Sequence, residues 1–175
     1  MKKTAIAIAL AATVTIAPLS ASAQSSYFEL GYSHFEESWE DISIAIPVIL
    51  VTAGYSFTEH FSFEGYVGTG ISDDTVTYEG IDIDLKFDSI VGFNLKGSVS
   101  FSENVAGFAK AGLAAVKTTA SASGFGSISD TTSALTFSGG LEYNFTPSVY
   151  GTISYTYYNT DADSDSVNFG VGMRF

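Results

Sequence analysis

Three short polar breaks recur at a fixed interval, and they constrain this chain more than any other feature. Phe57-Thr58-Glu59-His60-Phe61, Phe101-Ser102-Glu103-Asn104-Val105 and Phe145-Thr146-Pro147-Ser148-Val149 begin 44 residues apart at each step. Each is a three-residue interruption between two runs of alternating polarity, the mark of a tight hairpin turn. A period of this kind is a fold-level signal, because each repeat carries one strand into a turn and the next strand out of it. The run before Phe175 closes in the same way, and Tyr55, Val99, Tyr143 and Met173 stand two positions before the four phenylalanines.

Counting alternate residues back from each phenylalanine gives the register. One face of the second strand reads Phe57, Tyr55, Ala53, Val51, Ile49, and the same face of the fourth reads Phe101, Val99, Gly97, Leu95, Phe93, Val91. The sixth gives Phe145, Tyr143, Leu141, Gly139, Phe137, Leu135, and the eighth Phe175, Met173, Val171, Phe169, Val167. The opposite face carries Ser100, Ser98, Lys96 and Asn94, then Asn144, Glu142 and Ser138, then Arg174 and Asn168. The ascending strands follow the same rule, with Phe28, Leu30 and Tyr32, then Phe61, Phe63 and Val67, on the apolar face. Val105, Ala109, Ala111, Leu113 and Val149, Ile153, Tyr155, Tyr157 complete the set.

About ten residues of alternating polarity per strand match a bilayer crossing at a tilt. A soluble sandwich or lipocalin-like barrel would turn its apolar face inward. Here the face left for the interior carries Glu64, Lys96, Lys110 and Glu142, and aromatic residues gather at the strand ends. The expected fold is therefore all-β, an eight-stranded antiparallel up-and-down transmembrane β-barrel, closed because an unpaired edge in hydrocarbon leaves backbone groups unsatisfied. Tyr55, Phe57, Phe61, Phe101, Tyr143, Phe145 and Phe175 form one aromatic girdle, and Tyr32 and Tyr157 are candidates for the other.

The first 23 residues read as an export signal. Lys2 and Lys3 precede an apolar run from Thr4 to Ala17, and Ala21-Ser22-Ala23 offers a cleavage site, leaving residues 24–175 as the barrel domain. In that domain five basic residues face 19 acidic ones, a formal charge of about −14, which argues against nucleic-acid binding. No cysteine is present, so neither a disulfide nor a thiolate ligand is available. With the N-terminus periplasmic after export, an even strand number returns the C-terminus to the periplasm, and the longer connections are extracellular.

The run Val167-Asn168-Phe169-Gly170-Val171-Gly172-Met173-Arg174-Phe175 resembles the terminal strand by which the barrel-assembly machinery recognises outer-membrane proteins. Gly140-Leu141-Glu142-Tyr143-Asn144-Phe145-Thr146-Pro147 resembles the sixth strand and turn of the transmembrane domain of outer-membrane protein A and its relatives, and Phe108-Ala109-Lys110-Ala111-Gly112 its fifth strand. The chain is thus similar to the small outer-membrane barrels of the outer-membrane protein A, outer-membrane protein X and opacity type. The resemblance implies a Gram-negative outer membrane and an assembly signal in Phe169, Val171, Met173 and Phe175. It also implies transient partners in periplasmic chaperones and the assembly machinery. One departure is Thr152, on the seventh strand where outer-membrane protein A has an inward basic residue.

An eight-stranded barrel is just wide enough for its own side chains. The register turns Glu29, Glu64 and Glu142 inward against Lys96, Lys110 and Arg174, three charges of each sign. Charges in so confined a space must pair, so a salt-bridge network plugging the lumen is expected, with Arg174 set near Glu29. A gate formed by pairs that exchange partners is the alternative, and would make the protein a narrow channel for ions or small polar solutes.

Most of the acidic excess falls between the longer runs: Glu36, Glu37, Glu40 and Asp41; Asp73, Asp74, Glu79, Asp82 and Asp84; Asp161, Asp163 and Asp165. The third connection, from Thr118 to Ser133, is mainly small and hydroxylated. These segments keep the outer surface solvated, and could bridge through divalent cations to lipopolysaccharide or dock to a host or phage surface. Asp161, Asp163 and Asp165 are the best metal candidates. They fall short of a calcium loop, with Ser166 where glycine is needed and no bidentate glutamate at position twelve. His34 and His60 belong to opposite ends of the barrel and cannot share a site, so no enzyme, metal or cofactor is expected.

Overall fold

The computed structural model describes residues 25–39, 42–72, 74–78, 81–122, 126–160 and 163–175; the export signal lies outside them. Among the described residues there are nine strand segments: β1 (Ser25–Trp39), β2 (Ile42–Ser56), β3 (Phe61–Gly70), β4 (Asp74–Tyr78), β5 (Ile81–Ser100), β6 (Val105–Ala122), β7 (Gly126–Asn144), β8 (Val149–Asn159) and β9 (Asp163–Arg174). They pair antiparallel in the order β3-β2-β1-β9-β8-β7-β6-β5, and β3 pairs again with β5, so the sheet closes on itself. β4 continues the ascent of β3 along the same partner, pairing Asp74 with Leu85 where β3 ended by pairing Gly68 with Ile90. The two segments are one strand broken at Ile71 and Ser72, and the barrel has eight.

The 44-residue repeat has a local cause. In each turn the hydroxyl after the phenylalanine accepts two backbone N–H groups: Thr58 from His60 and Phe61, Ser102 from Asn104 and Val105, Thr146 from Ser148 and Val149. The phenylalanine N–H groups donate across to Phe61, Val105 and Val149 at 2.8 to 3.1 Å. The hydroxyl thus satisfies donors that a three-residue turn would otherwise leave to solvent. Carbonyls of the same turns, on His60, Asn104 and Ser148, accept from Ser98, Asn144 and Arg174 on neighbouring strands at 2.8 Å, tying the turns into a ring. Closure is completed by the exchange of Ser26 and Phe175 at 3.0 and 3.2 Å.

Side-chain parity divides the wall as the sequence predicts. Phe93, Leu95, Phe137, Leu141, Ile153, Phe169 and Val171 are 43 to 60% exposed, while Glu64, Lys96 and Thr136 are 1 to 5% exposed. A wall that shows its apolar side to the surroundings and hides its charges is inverted relative to a soluble domain, and hydrocarbon is the surrounding that makes the inversion favourable.

The strands differ in height. β5, β6 and β7 have 20, 18 and 19 residues, against 11 and 12 in β8 and β9. At about 3.3 Å per residue and a tilt near 40°, β5 reaches about 50 Å, roughly twice the height of the apolar band. Much of the expected third connection is therefore strand, with β6 running to Ala122 and β7 starting at Gly126. Glu36 and Asp165, expected in connections, stand on β1 and β9 and face each other in the ladder.

Leu95→Arg places a charge on the outward face near the middle of the apolar band. It should lower the stability of the refolded barrel in a bilayer by about 2–4 kcal/mol, with Leu95→Ala far milder; denaturant titration reads the difference.

Candidate functional site

The interior is built in layers, and the periodicity of each strand decides which side chain enters which. At the end that carries the three tight turns, a cavity of about 230 Å³ is lined by small polar groups such as Ser25, Ser56, Ser62 and Ser100, with Glu59 and Asn144. Its floor is a layer of charges.

Lys96 on β5 and Lys110 on β6 face each other in the ladder, an unfavourable like-charge pair on its own. Glu64, 1% exposed on β3, resolves it: Lys110 Nζ lies 2.7 Å from Glu64 Oε2 and Lys96 Nζ 3.8 Å from Oε1. Tyr27 donates to Glu64 Oε1 at 2.6 Å. Lys96 also reaches Glu142 Oε2 on β7 at 3.1 Å, and Arg174 pairs with Glu142 Oε1 while donating to Asn144 Oδ1 at 2.8 Å. Aromatic rings support the cations: Phe108 lies 4.7 Å from Lys96 Nζ and 5.1 Å from Lys110 Nζ, and Tyr150 lies 4.2 Å from the Arg174 guanidinium. Ring faces attract desolvated cations, so these contacts lower the cost of burial without adding charge.

Five of the six residues expected in the lumen network are thus joined. The sixth, Glu29, is not where it was expected: Arg174 turns to Glu142, not to Glu29. The reason is the ladder, which sets Arg174 opposite Tyr27 and Glu29 opposite Gly172. The Arg174 side chain crosses the ring of Tyr150 toward β7. Glu29 instead stands beside Thr152 over Gly170, with Lys110 and Lys96 as the nearest attracting charges.

Beyond the charges lies a polar cavity of about 60 Å³, lined by Glu29, Thr52, Asn94, Thr136, Ser154 and Asn168 among others, with room for a few water molecules. Thr136 donates to Asn94 Oδ1 at 3.3 Å, and Thr156 joins Ser138 at 2.8 Å and Asn168 at 3.0 Å.

The last layer went unseen in the sequence. Phe35, Ile46, Val48, Phe87, Ile90, Ala114, Ala134 and Tyr158 form one buried apolar cluster inside the far end of the barrel. Phe35 meets Phe87 and Tyr158 edge-on at 5.4 and 5.2 Å between centroids. Two signals point to it: Ile44 to Val51 is apolar on both parities, so its inward members must also be buried, and Phe87 leaves the alternation because a bulge at Asp88 shifts the register.

Outside the lumen, Phe169, Val171 and Met173 lie on the outward face of β9, 49 to 60% exposed, and Phe175 follows at 62%. Of the metal candidates, Asp165 accepts from Tyr155 OH at 2.5 Å. The side chains of Asp161 and Asp163 lie outside the described residues, as do those of Glu37, Glu40, Asp41, Asp73, Asp74, Glu79, Asp82 and Asp84. Among the described residues no three His, Asp or Glu side chains converge as metal ligands. His34 Nε2 sits 3.2 Å from Glu36 Oε1 on β1, while His60 belongs to a turn at the other end.

An antiparallel ring with an apolar exterior and a packed ionic interior defines a transmembrane β-barrel. The chain belongs to the outer membrane protein beta-barrel domain family, whose pattern matches residues 6–175, and so to the Gram-negative outer membrane. No curated protein sequence matches it. Among solved structures it is similar to Ail, the attachment invasion locus protein of Yersinia pestis, in complex with the heparin analogue sucrose octasulfate. They share 21% identity over 87% of this chain and 99% of that one, with a TM-score of 0.66. It is also similar to Neisserial surface protein A, at 19% identity over 86% and 97% of the two chains with a TM-score of 0.67. A third is the N-terminal barrel of Pseudomonas aeruginosa OprF, at 15% over 86% and 97% with a TM-score of 0.64. At these identities the similarity establishes the fold.

Lys110→Met removes one partner of a buried pair and should cost about 3–5 kcal/mol. Adding Glu64→Gln should recover much of that loss, and a double-mutant cycle of denaturant unfolding in a bilayer measures the coupling.

Proposed function

We propose that this barrel is a structural and surface-interaction protein whose contacts are made by the tall outer ends of its strands and the connections between them. The observation that carries this reading is the double seal of the lumen. The Glu64, Lys96, Lys110, Glu142 and Arg174 layer and the Phe35–Phe87–Tyr158 cluster lie in series, separated by a cavity of only about 60 Å³. A solute would have to break both an ionic and an apolar seal, whereas the gate considered from sequence needed only ion pairs to exchange. The height of β5, β6 and β7 supports the same reading, since a barrel needs no such length to span a membrane.

In this reading residues 1–23 are removed on export and the tight turns and both termini face the periplasm. The sealed, tall end faces outward. The outward apolar positions Phe169, Val171, Met173 and Phe175 serve as the assembly signal while periplasmic chaperones hold the unfolded chain. The Glu29, Glu64, Lys96, Lys110, Glu142 and Arg174 set fixes the interior and has no catalytic duty. Partners at the outer surface are lipopolysaccharide and an extracellular ligand such as a host or phage surface. The heparin analogue bound to Ail shows only that a barrel of this shape can carry such a ligand. The acidic outer segments of this chain favour a neutral or basic extracellular ligand, and meet lipopolysaccharide through divalent cations.

Single-channel recording and cell-binding assays together test the proposal. Wild type and Lys96→Ala should both show no conductance steps, while shortening β6 and β7 around Ala122 and Gly126 should abolish binding of cells to matrix, phage or serum factors with the barrel still folded. Discrete steps in wild type that change with Lys96→Ala would establish the channel instead.

A further inference from the structure

Between Gln24 and Phe175 the chain has five basic residues. Three of them, Lys96, Lys110 and Arg174, are spent inside the lumen. The other two, Lys86 on β5 and Lys117 on β6, are exposed side by side on the outward face. The ladder pairs Lys86 with Thr119 and Ser89 with Lys117, so the two lysines are diagonal neighbours, with a Cα spacing of about 7–8 Å.

The bulge at Asp88 creates this arrangement. Counting down β5 from Lys96, Asn94 and Ile90 in steps of two would send residue 86 into the lumen. The extra residue rephases the strand, so Phe87 enters the apolar cluster and Lys86 turns out. The bulge is itself fastened: Thr69 Oγ1 donates to the Asp88 carbonyl at 2.9 Å, and Thr119 Oγ1 to Asp88 Oδ2 at 2.6 Å. Lys117 Nζ lies 3.9 Å from the same Oδ2, so Asp88 offsets part of the positive charge and leaves Lys86 and the outer side of Lys117 open.

Depth fixes what these ammonium groups meet. Lys117 stands twelve residues along β6 from Val105, which opens the strand at the turn end. That is about 30 Å of height for a strand tilted near 40°, just beyond an apolar band about 25 Å tall. Val91, Phe93 and Leu113, each 43 to 46% exposed, lie directly below on the same face. Across the barrel, Glu36 and Asp165 face each other on β1 and β9 at the same rim. At this rim the lysine pair on β5 and β6 thus lies opposite the acidic pair on β1 and β9.

We propose that Lys86 and Lys117 bind the phosphate of an anionic outer-leaflet lipid, whose acyl chains lie along Val91, Phe93 and Leu113. In a Gram-negative outer leaflet the phosphorylated lipid of that chemistry is the lipid A of lipopolysaccharide. Ammonium–phosphate contacts at the edge of a low-dielectric layer are charge-assisted and weakly screened. The bulge sets the angular position at which the barrel holds its lipid. The assignment to the outer leaflet rests on the orientation proposed above.

The test places the refolded barrel in phosphatidylcholine nanodiscs and titrates bisphosphorylated or dephosphorylated lipid A into both leaflets, with bound lipid counted by native mass spectrometry. Wild type should bind the bisphosphorylated form about tenfold more tightly, and K86Q/K117Q should lose that preference while keeping its heat-shifted gel band. E36Q/D165N, on the opposite sector, should retain it. Undiminished preference in K86Q/K117Q, or an equal loss in E36Q/D165N, would overturn the site. Displacement of the lipid by inorganic phosphate at equal concentration would reassign it to a soluble anion. Because lipid is supplied to both leaflets, this readout does not depend on orientation. Labelling of Ile128→Cys on intact cells by an impermeant maleimide tests the orientation by itself.

Discussion

Inside hydrocarbon, a backbone N–H or C=O without a partner costs several kcal/mol, and no water is present to supply one. The ring of strands meets that demand by pairing β1 with β9 over Tyr27–Ser38 and β3 with β5 over Phe61–Gly68. Everything else follows from this closure. A closed ring of eight strands has one inside and one outside, so alternation along each strand becomes a division between lipid and lumen. The same ring fixes which residues stand opposite one another, and hence which charges can meet.

The lumen shows how confinement turns a liability into order. Lys96 and Lys110 are forced together by the β5–β6 register and would repel, but Glu64 arrives from β3 and Glu142 from β7 to separate and neutralise them. Tyr27, Phe108 and Tyr150 fill the remaining space and present ring faces to the cations. Farther along the axis the charges stop, and the interior is closed by Phe35, Val48, Phe87 and Tyr158. An ionic layer near one end and an apolar layer near the other resist different intruders, which is why the two in series weigh against passage.

Strand identity, order and parity were legible because turn chemistry and a period of two repeat along the whole chain. The three turns differ in sequence, yet Thr58, Ser102 and Thr146 perform one task in them. Membership of the lumen set was legible for the same reason, since Glu29, Glu64, Lys96, Lys110, Glu142 and Arg174 all have inward parity. Their pairing was not, because partner choice depends on side chains crossing the lumen: Arg174 passes over Tyr150 to Glu142 and leaves Glu29 unpaired with it. The apolar seal was hidden by two different effects. On β2 both faces are apolar and alternation is silent, while on β5 the bulge at Asp88 shifts Phe87 by one position. The heights of β5, β6 and β7 were hidden because their outer halves, rich in Ser and Thr on β6 and β7 and in Asp on β5, have the composition of loops while keeping the ladder of strands.

Residue-by-residue accessibility along β7 tests the inside-out register most directly. Single spin labels from Leu135 to Asn144 in a bilayer should alternate, with odd positions relaxed by lipid-soluble oxygen and even positions shielded from it. A reversed alternation, or none, would contradict the account.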